Sequence, residues 1–137
     1  MENNNSSALA LRIGLGLFFL VFGLLKFVSS GPMMGNVYPS FFGGMAIDVV
    51  IYGIGVVQII GAVLLFIGLF TVPTSIVLGV GHLGTVVATI GRIVTPFTFL
   101  EGAPPNFLFF GAVPILAAIV ALVLMGPGDM SLDRSRK

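Results

Sequence analysis

The chain has 137 residues, of which 57% are hydrophobic and only 8% charged, against about 25% charged in ordinary soluble domains. Six basic and five acidic side chains cannot clothe a protein of this size in water, so the bilayer must supply the solvent. A net charge of +1 excludes a basic nucleic-acid surface and an acidic disordered tail, and the lack of cysteine excludes dithiol chemistry, a disulfide and an iron–sulfur cluster.

From Met1 to Ser7 the chain is polar, with Glu2 and three asparagines. Arg12 is the only basic side chain before the first apolar run, which suits a secretory leader poorly. Val28-Ser29-Ser30 does carry the small residues of a cleavage site, and three later spans would survive such a cut. A hydrocarbon core of about 30 Å takes about 20 helical residues to cross. Four runs meet that length, at roughly 8–29, 47–70, 73–95 and 106–126. The expectation is an all-α protein: a four-transmembrane-helix bundle of up-down topology, one domain over residues 1–137.

The first connection is rich in turn residues (Gly31, Pro32, Gly35, Asn36, Pro39, Gly43, Gly44), and the third carries Pro96, Gly102, Pro104 and Pro105. Between the second and third spans there is only a tight turn around Thr71, Pro73 and Thr74, which makes those helices antiparallel neighbours. An even number of spans puts both termini on one side, with Arg12, Arg134, Arg136 and Lys137; Lys26 and Arg92 fall on the other. The positive-inside rule then gives a multi-pass protein of the cell membrane with both termini in the cytoplasm.

Polar groups inside spans are costly and turn towards the bundle interior or a cavity. On the first helix Arg12, Gly16, Phe19, Gly23 and Lys26 fall on one stripe, as do Ser75, His82, Thr85, Thr89 and Arg92 on the third. Gly55, Gln58 and Ala62 share a face of the second. Gln58 and His82 each lie about 15 Å from the outer ends of their helices, close to the midplane. Lys26 and Arg92 stand near the outer face, where Asp48 begins the second helix. The candidate ligand-binding set is therefore Lys26, Gln58, His82 and Arg92, forming a polar seam entered from the non-cytoplasmic side. Plainer roles compete. The three cations can anchor helix ends at the interface, Thr85 and Thr89 can bond their own backbone, and Gln58 and His82 can join helices.

The fourth helix carries no charged or amide side chain between Phe107 and Met125 and reads as packing and lipid-facing surface. Gly84 with Ala88, and Ala117 with Ala121, are small pairs that allow close helix approach, and Pro114 predicts a kink. The glycine pairs at 14 and 16 and at 53 and 55 lack the strand–turn–helix context of a nucleotide loop. One histidine, no cysteine and acids only at span ends argue against a metal or a haem. A quinone is the natural cofactor candidate, because its carbonyls need only hydrogen-bond donors in an apolar slot.

The residues Arg12-Ile13-Gly14-Leu15-Gly16 and Phe22-Gly23-Leu24-Leu25-Lys26-Phe27 resemble the opening of DoxX-type membrane proteins. Gln58-Ile59-Ile60-Gly61 through Gly68-Leu69 is similar to that family's second-helix motif, and residues 126–133 to its C-terminal signature. The family commonly has a glutamate where this chain has Gln58, and a neutral amide can orient a ligand but cannot titrate. The resemblance implies a four-helix membrane fold. It also brings in the DoxD-type subunit of thiosulfate:quinone oxidoreductase, which works beside a second subunit, and relatives that look like assembly partners of membrane complexes. Membership by itself does not make the chain an enzyme.

Two functions are therefore expected in competition. One is a small membrane subunit of a quinone-linked oxidoreductase, with Lys26 and Arg92 drawing an anionic reductant to the outer mouth. The other is a non-catalytic scaffold or assembly partner. Besides the lipid bilayer, the partner expected is a second copy or a second subunit, with no nucleic acid.

Overall fold

A computed structural model describes residues 3–28, 47–99 and 105–135. The connection from Gly31 to Gly44 lies outside them, as do Ser29, Ser30, Gly102, Pro104, Arg136 and Lys137. Every regular element among the described residues is helical: α1 (Asn3–Val28), α2 (Asp48–Ile67), α3 (Thr71–Ala88), α4 (Ile90–Ile93), α5 (Phe107–Phe110), α6 (Ala112–Met125) and α7 (Leu132–Ser135). Four stretches are long and apolar enough to cross a membrane: Ser6–Val28, Asp48–Ile67, Thr71–Ala88 and Phe107–Met125. The chain is an all-α, multi-pass membrane protein.

Each boundary has a local cause. The first helix starts at Asn3, earlier than the apolar run, because nothing in the polar residues 3–7 breaks a helix. Helix α2 ends at Gly68, whose φ of 68° is the left-handed conformation a side chain resists. There the Leu69 N–H reaches back to the Leu64 carbonyl at 3.0 Å, tying off the last turn. Three residues later α3 begins, so α2 and α3 run antiparallel. The expected unbroken third span is interrupted: α3 stops at Ala88, Thr89 forms a turn, and α4 resumes at Ile90. At that turn the Thr89 hydroxyl donates to the Thr85 carbonyl at 2.8 Å, a back-bond that bends helices. In the fourth span the interruption falls at Gly111, not at Pro114 itself. Proline lacks the N–H that would reach the carbonyl four residues earlier, so the ladder opens one turn upstream.

Neighbouring spans contact one another in chain order, and the first also meets the fourth, which closes the ring. Leu15, Phe19, Ala62, Leu65, Leu78, Ile119 and Leu122, from all four spans, fill its centre. The first and second spans pack most extensively. A Cβ built on Gly23 would lie 3.0 Å from the Gly55 carbonyl oxygen, and one on Gly55 2.8 Å from the Phe27 ring, so hydrogen side chains are what let these backbones meet. The fourth span is peripheral: 11% of it is buried, against 33% of the first.

After α6 the chain turns back through Gly126 (φ 78°) and Gly128 (φ 73°) and lies across the end of the bundle. Helix α3 has no side-chain cap of its own. Its cap comes from the tail, where the Asp133 carboxylate accepts the Phe70 N–H at 2.7 Å and the Thr71 N–H at 2.8 Å. The Asp133 N–H in turn donates to the Gly68 carbonyl at 2.9 Å. Arg12 does not extend outward into the surroundings. Its guanidinium is fully buried and Nη2 donates to the Met130 carbonyl, so it pins the same tail.

Partial burial opposes ionisation of Asp133, but the Thr71 and Phe70 N–H groups and the Arg12 charge outweigh it and hold its pKa below the usual carboxylate value. A folded-state pKa below the unfolded one means the stabilisation is complete above the ordinary carboxylate range and is lost as pH falls through the lowered value. Asp133→Ala should therefore melt below the wild type at neutral pH, with the gap closing as the buffer is taken into the acid range. A gap that persists unchanged in acid would show that the carboxylate charge contributes nothing.

Candidate functional site

Lys26 sits in the last turn of α1, where a lysine in a membrane helix ordinarily extends outward to water. Here the side chain does the reverse. It is 3% exposed, and Nζ folds back one turn to donate to the Phe22 carbonyl at 3.0 Å. The same nitrogen donates to Gln58 Oε1 at 2.7 Å. The close approach at Gly23 and Gly55 makes this geometry possible, because the lysine stem runs over the space that a Gly55 side chain would occupy. Phe27 and Tyr52 stack alongside, ring centres 5.3 Å apart. An ionisable group is thus turned back along an apolar span, where such groups are rare and usually mark a site.

The four expected site residues do not form one cluster of contacts. Lys26 and Gln58 meet directly. His82 is 7% exposed, and its Nε2 lies 2.9 Å from the Ala112 carbonyl, an acceptor that obliges this nitrogen to donate. Phe18 and Phe19 set their rings nearly perpendicular to the imidazole, at 5.6 Å and 6.1 Å. His82 therefore joins the third span to the fourth just past the break at Gly111. Arg92, on α4, places its guanidinium carbon 4.9 Å from the centre of the Phe109 ring. That contact ties α4 to α5, reinforced by the Asn106 amide donating to the Thr95 carbonyl at 3.1 Å.

On the third span the polar stripe is only partly real. Ser75, His82 and Thr89 are buried, while Thr85 faces outward. Heptad spacing keeps 75, 82 and 89 on the inner face, and Thr85 lies to one side of it. Two contributors were not singled out from sequence. The Ala112 carbonyl, being backbone, leaves no trace there. Tyr52 could have been noticed as an amphipathic aromatic close to a span end.

Between α2 and α3 lies a shallow groove of about 250 Å³, with Val57, Ile60 and Leu64 on one side and Pro73, Val77 and Leu78 on the other. Its lining is almost wholly apolar, so it offers hydrocarbon contact and little else. Val57 and Gly61, which line it, flank Gln58 along α2.

The DoxX family model matches residues 7–91, which include most of α1, all of α2 and α3, the Lys26–Gln58 pair and His82. This is more than half of the chain, and the protein belongs to the DoxX family. The C-terminal run that carries Asp133 lies beyond the matched segment. No curated protein and no solved structure matches the chain.

Gln58 is the test of the pair. Gln58→Leu removes the 2.7 Å acceptor of Lys26 Nζ and should cost about 1–3 kcal/mol of stability, the usual range for losing a hydrogen bond to a buried ionisable group. Gln58→Glu keeps the acceptor and adds a charge partner, so it should melt at or above the wild type. Thermal melts of both variants in a mild detergent decide it. Equal melting of the leucine variant and the wild type would mean that the pair adds no stability.

Proposed function

We propose that the chain is a small membrane subunit of a quinone-linked oxidoreductase, with a quinone oxygen held by Lys26 Nζ and the Gln58 amide. The observation that carries this reading is the inward-turned Lys26 paired with a half-buried Gln58. A lipid-dissolved molecule with carbonyl acceptors is the partner such donors suit in hydrocarbon. When bound, the quinone would supply two-electron, two-proton acceptor chemistry. Lys26 and Gln58 would orient its oxygen and favour negative charge there. The groove that starts at Val57 offers apolar lining for a prenyl tail. His82 enters this reading as a positioning residue, through its bond to the Ala112 carbonyl. Electrons would arrive through a second subunit, and the side carrying Arg12 and Arg134 is taken as cytoplasmic by the positive-inside rule.

The test is organic extraction and mass spectrometry of protein purified in mild detergent, with quinone added back where it has been stripped. Near-stoichiometric quinone is expected in the wild type, with at least about a tenfold loss of affinity in Lys26→Met, the scale of one lost hydrogen bond to an ionisable group. Absence of quinone from the wild type even after add-back would rule the reading out.

A second reading, an assembly partner for a further copy or another membrane subunit, has its own support. A Cβ on Gly81, Gly84 or Gly91 would meet nothing within 4 Å, and the glycines face outward, the first two on α3 and the last on α4. Small residues on a lipid-facing helix allow another helix to approach closely. Here Gly84→Leu should leave the melting temperature of the isolated chain unchanged while abolishing cross-linking to its partner. Gly23→Leu, which forces α1 off α2, should lower stability by about 1–3 kcal/mol, as overpacking does. Undiminished cross-linking in Gly84→Leu would exclude this face as the contact.

A further inference from the structure

Arg12 is the buried group that the quinone reading does not use. Its guanidinium is 0% exposed, Nη2 is spent on the Met130 carbonyl, and Nε and Nη1 are buried with no partner. Nη1 packs on Gly68, in the place that a Cβ there would take. Gly68 belongs to the turn that leads into α3, and the Phe70 and Thr71 N–H groups at the start of α3 already hold an anion, the Asp133 carboxylate. The spot thus gathers the positive end of an 18-residue helix and a buried guanidinium with two unused donors. Its present occupant takes its hydrogen bonds from the start of α3 and none from Arg12, whose charge acts on it at longer range. A donor surplus of this kind calls for an anion with more acceptor oxygens than a carboxylate has.

We propose that this spot is a phosphate-binding site and that Asp133 is the tethered anion which keeps it closed. A phosphate group presents several oxygens in a tetrahedral arrangement. It can take two N–H bonds from the helix terminus and two from a guanidinium together. The site stands between the ends of the Asp48–Ile67 and Thr71–Ala88 spans, and the end of a membrane span is where lipid headgroups are met. The phosphate can therefore belong to an anionic lipid or be free in solution. Entry requires residues 126–135 to swing away, and that segment is built for it. It turns at Gly126 and Gly128, and it is held at this spot by the Met130 carbonyl, the Asp133 N–H, the Asp133 carboxylate and the packing of buried Ser131 on Gly68. Among the described residues of the tail, the other charges, Asp129 and Arg134, pair with each other at 3.1 Å on the exposed side. When the tail lifts, the Met130 carbonyl leaves Arg12, and a third donor becomes available to the ligand.

Hydrogen exchange at the Phe70 and Thr71 amides reads the site directly, using the full chain and Asp133→Ala in maltoside micelles. Asp133→Ala alone should lose at least about tenfold of the protection at these two amides, as expected when a helix terminus opens. Adding phosphatidylglycerol should restore it, whereas a phosphate-free galactolipid should not. Restoration by inorganic phosphate as well would identify a free-phosphate site, and restoration by phosphatidylglycerol alone a headgroup site. Asp133→Ala with Arg12→Gln should lose the restoration. Should that double variant fail to fold, the comparison of the two lipids in Asp133→Ala still decides. Failure of both phosphate sources to restore protection, equal restoration by the galactolipid, or full protection in untreated Asp133→Ala would each overturn the proposal.

Discussion

Hydrocarbon holds no water to meet a stray N–H or C=O, and the polar groups of this bundle are arranged under that constraint. Lys26 Nζ is met by a backbone carbonyl and an amide, and His82 by the Ala112 carbonyl. The Ser75 hydroxyl donates to the Thr71 carbonyl four residues earlier, and Thr89 does the same to Thr85. Even the start of α3, which has no capping side chain of its own, is closed by a carboxylate brought from the far end of the chain. Among the described residues Arg12 Nε and Nη1 are two of the buried polar atoms left without a hydrogen-bond partner, and they stand beside the tail that turns back at Gly126 and Gly128.

The same constraint divides the bundle into unequal halves. The first and second spans are locked together by glycine contacts, with the Lys26–Gln58 pair at their seam. The third and fourth spans are joined by His82 and, beyond their breaks, by Arg92 on Phe109 and Asn106 on Thr95. Between the halves, the α2–α3 seam stays loose enough to leave a groove. The polar pair thus lies in the closely packed seam and the apolar groove in the adjoining one.

Much of this was legible in the residues. The four spans announce themselves by length and composition, and Lys26, Gln58 and His82 stand out as polar groups in apolar runs. The direction in which Lys26 points was not legible, because a lysine near a helix end can reach outward or inward with the same backbone. Nor was the division of labour between His82 and Gln58. Equal depth suggested a shared site, but depth fixes height along the bundle and leaves azimuth open. Thr85 was misplaced for a related reason. Spacings of three and four give a broad stripe, and packing decides which edge of it turns inward. The helix breaks were half visible: Pro114 foretold one, while nothing in the run from Ile90 to Ile93 announced the turn at Thr89.

What the sequence determined by itself is that this chain crosses the bilayer four times and carries a few polar groups into it, since hydropathy and helix length are properties of short consecutive stretches. Which donor meets which acceptor was left to the tertiary structure. Lys26 finds Gln58 across 32 residues, His82 finds Ala112 across 30, Phe70 finds Asp133 across 63, and Arg12 finds Met130 across 118. Partners that far apart meet only after the helices have packed, and where they meet is set by the glycines that let two backbones come together.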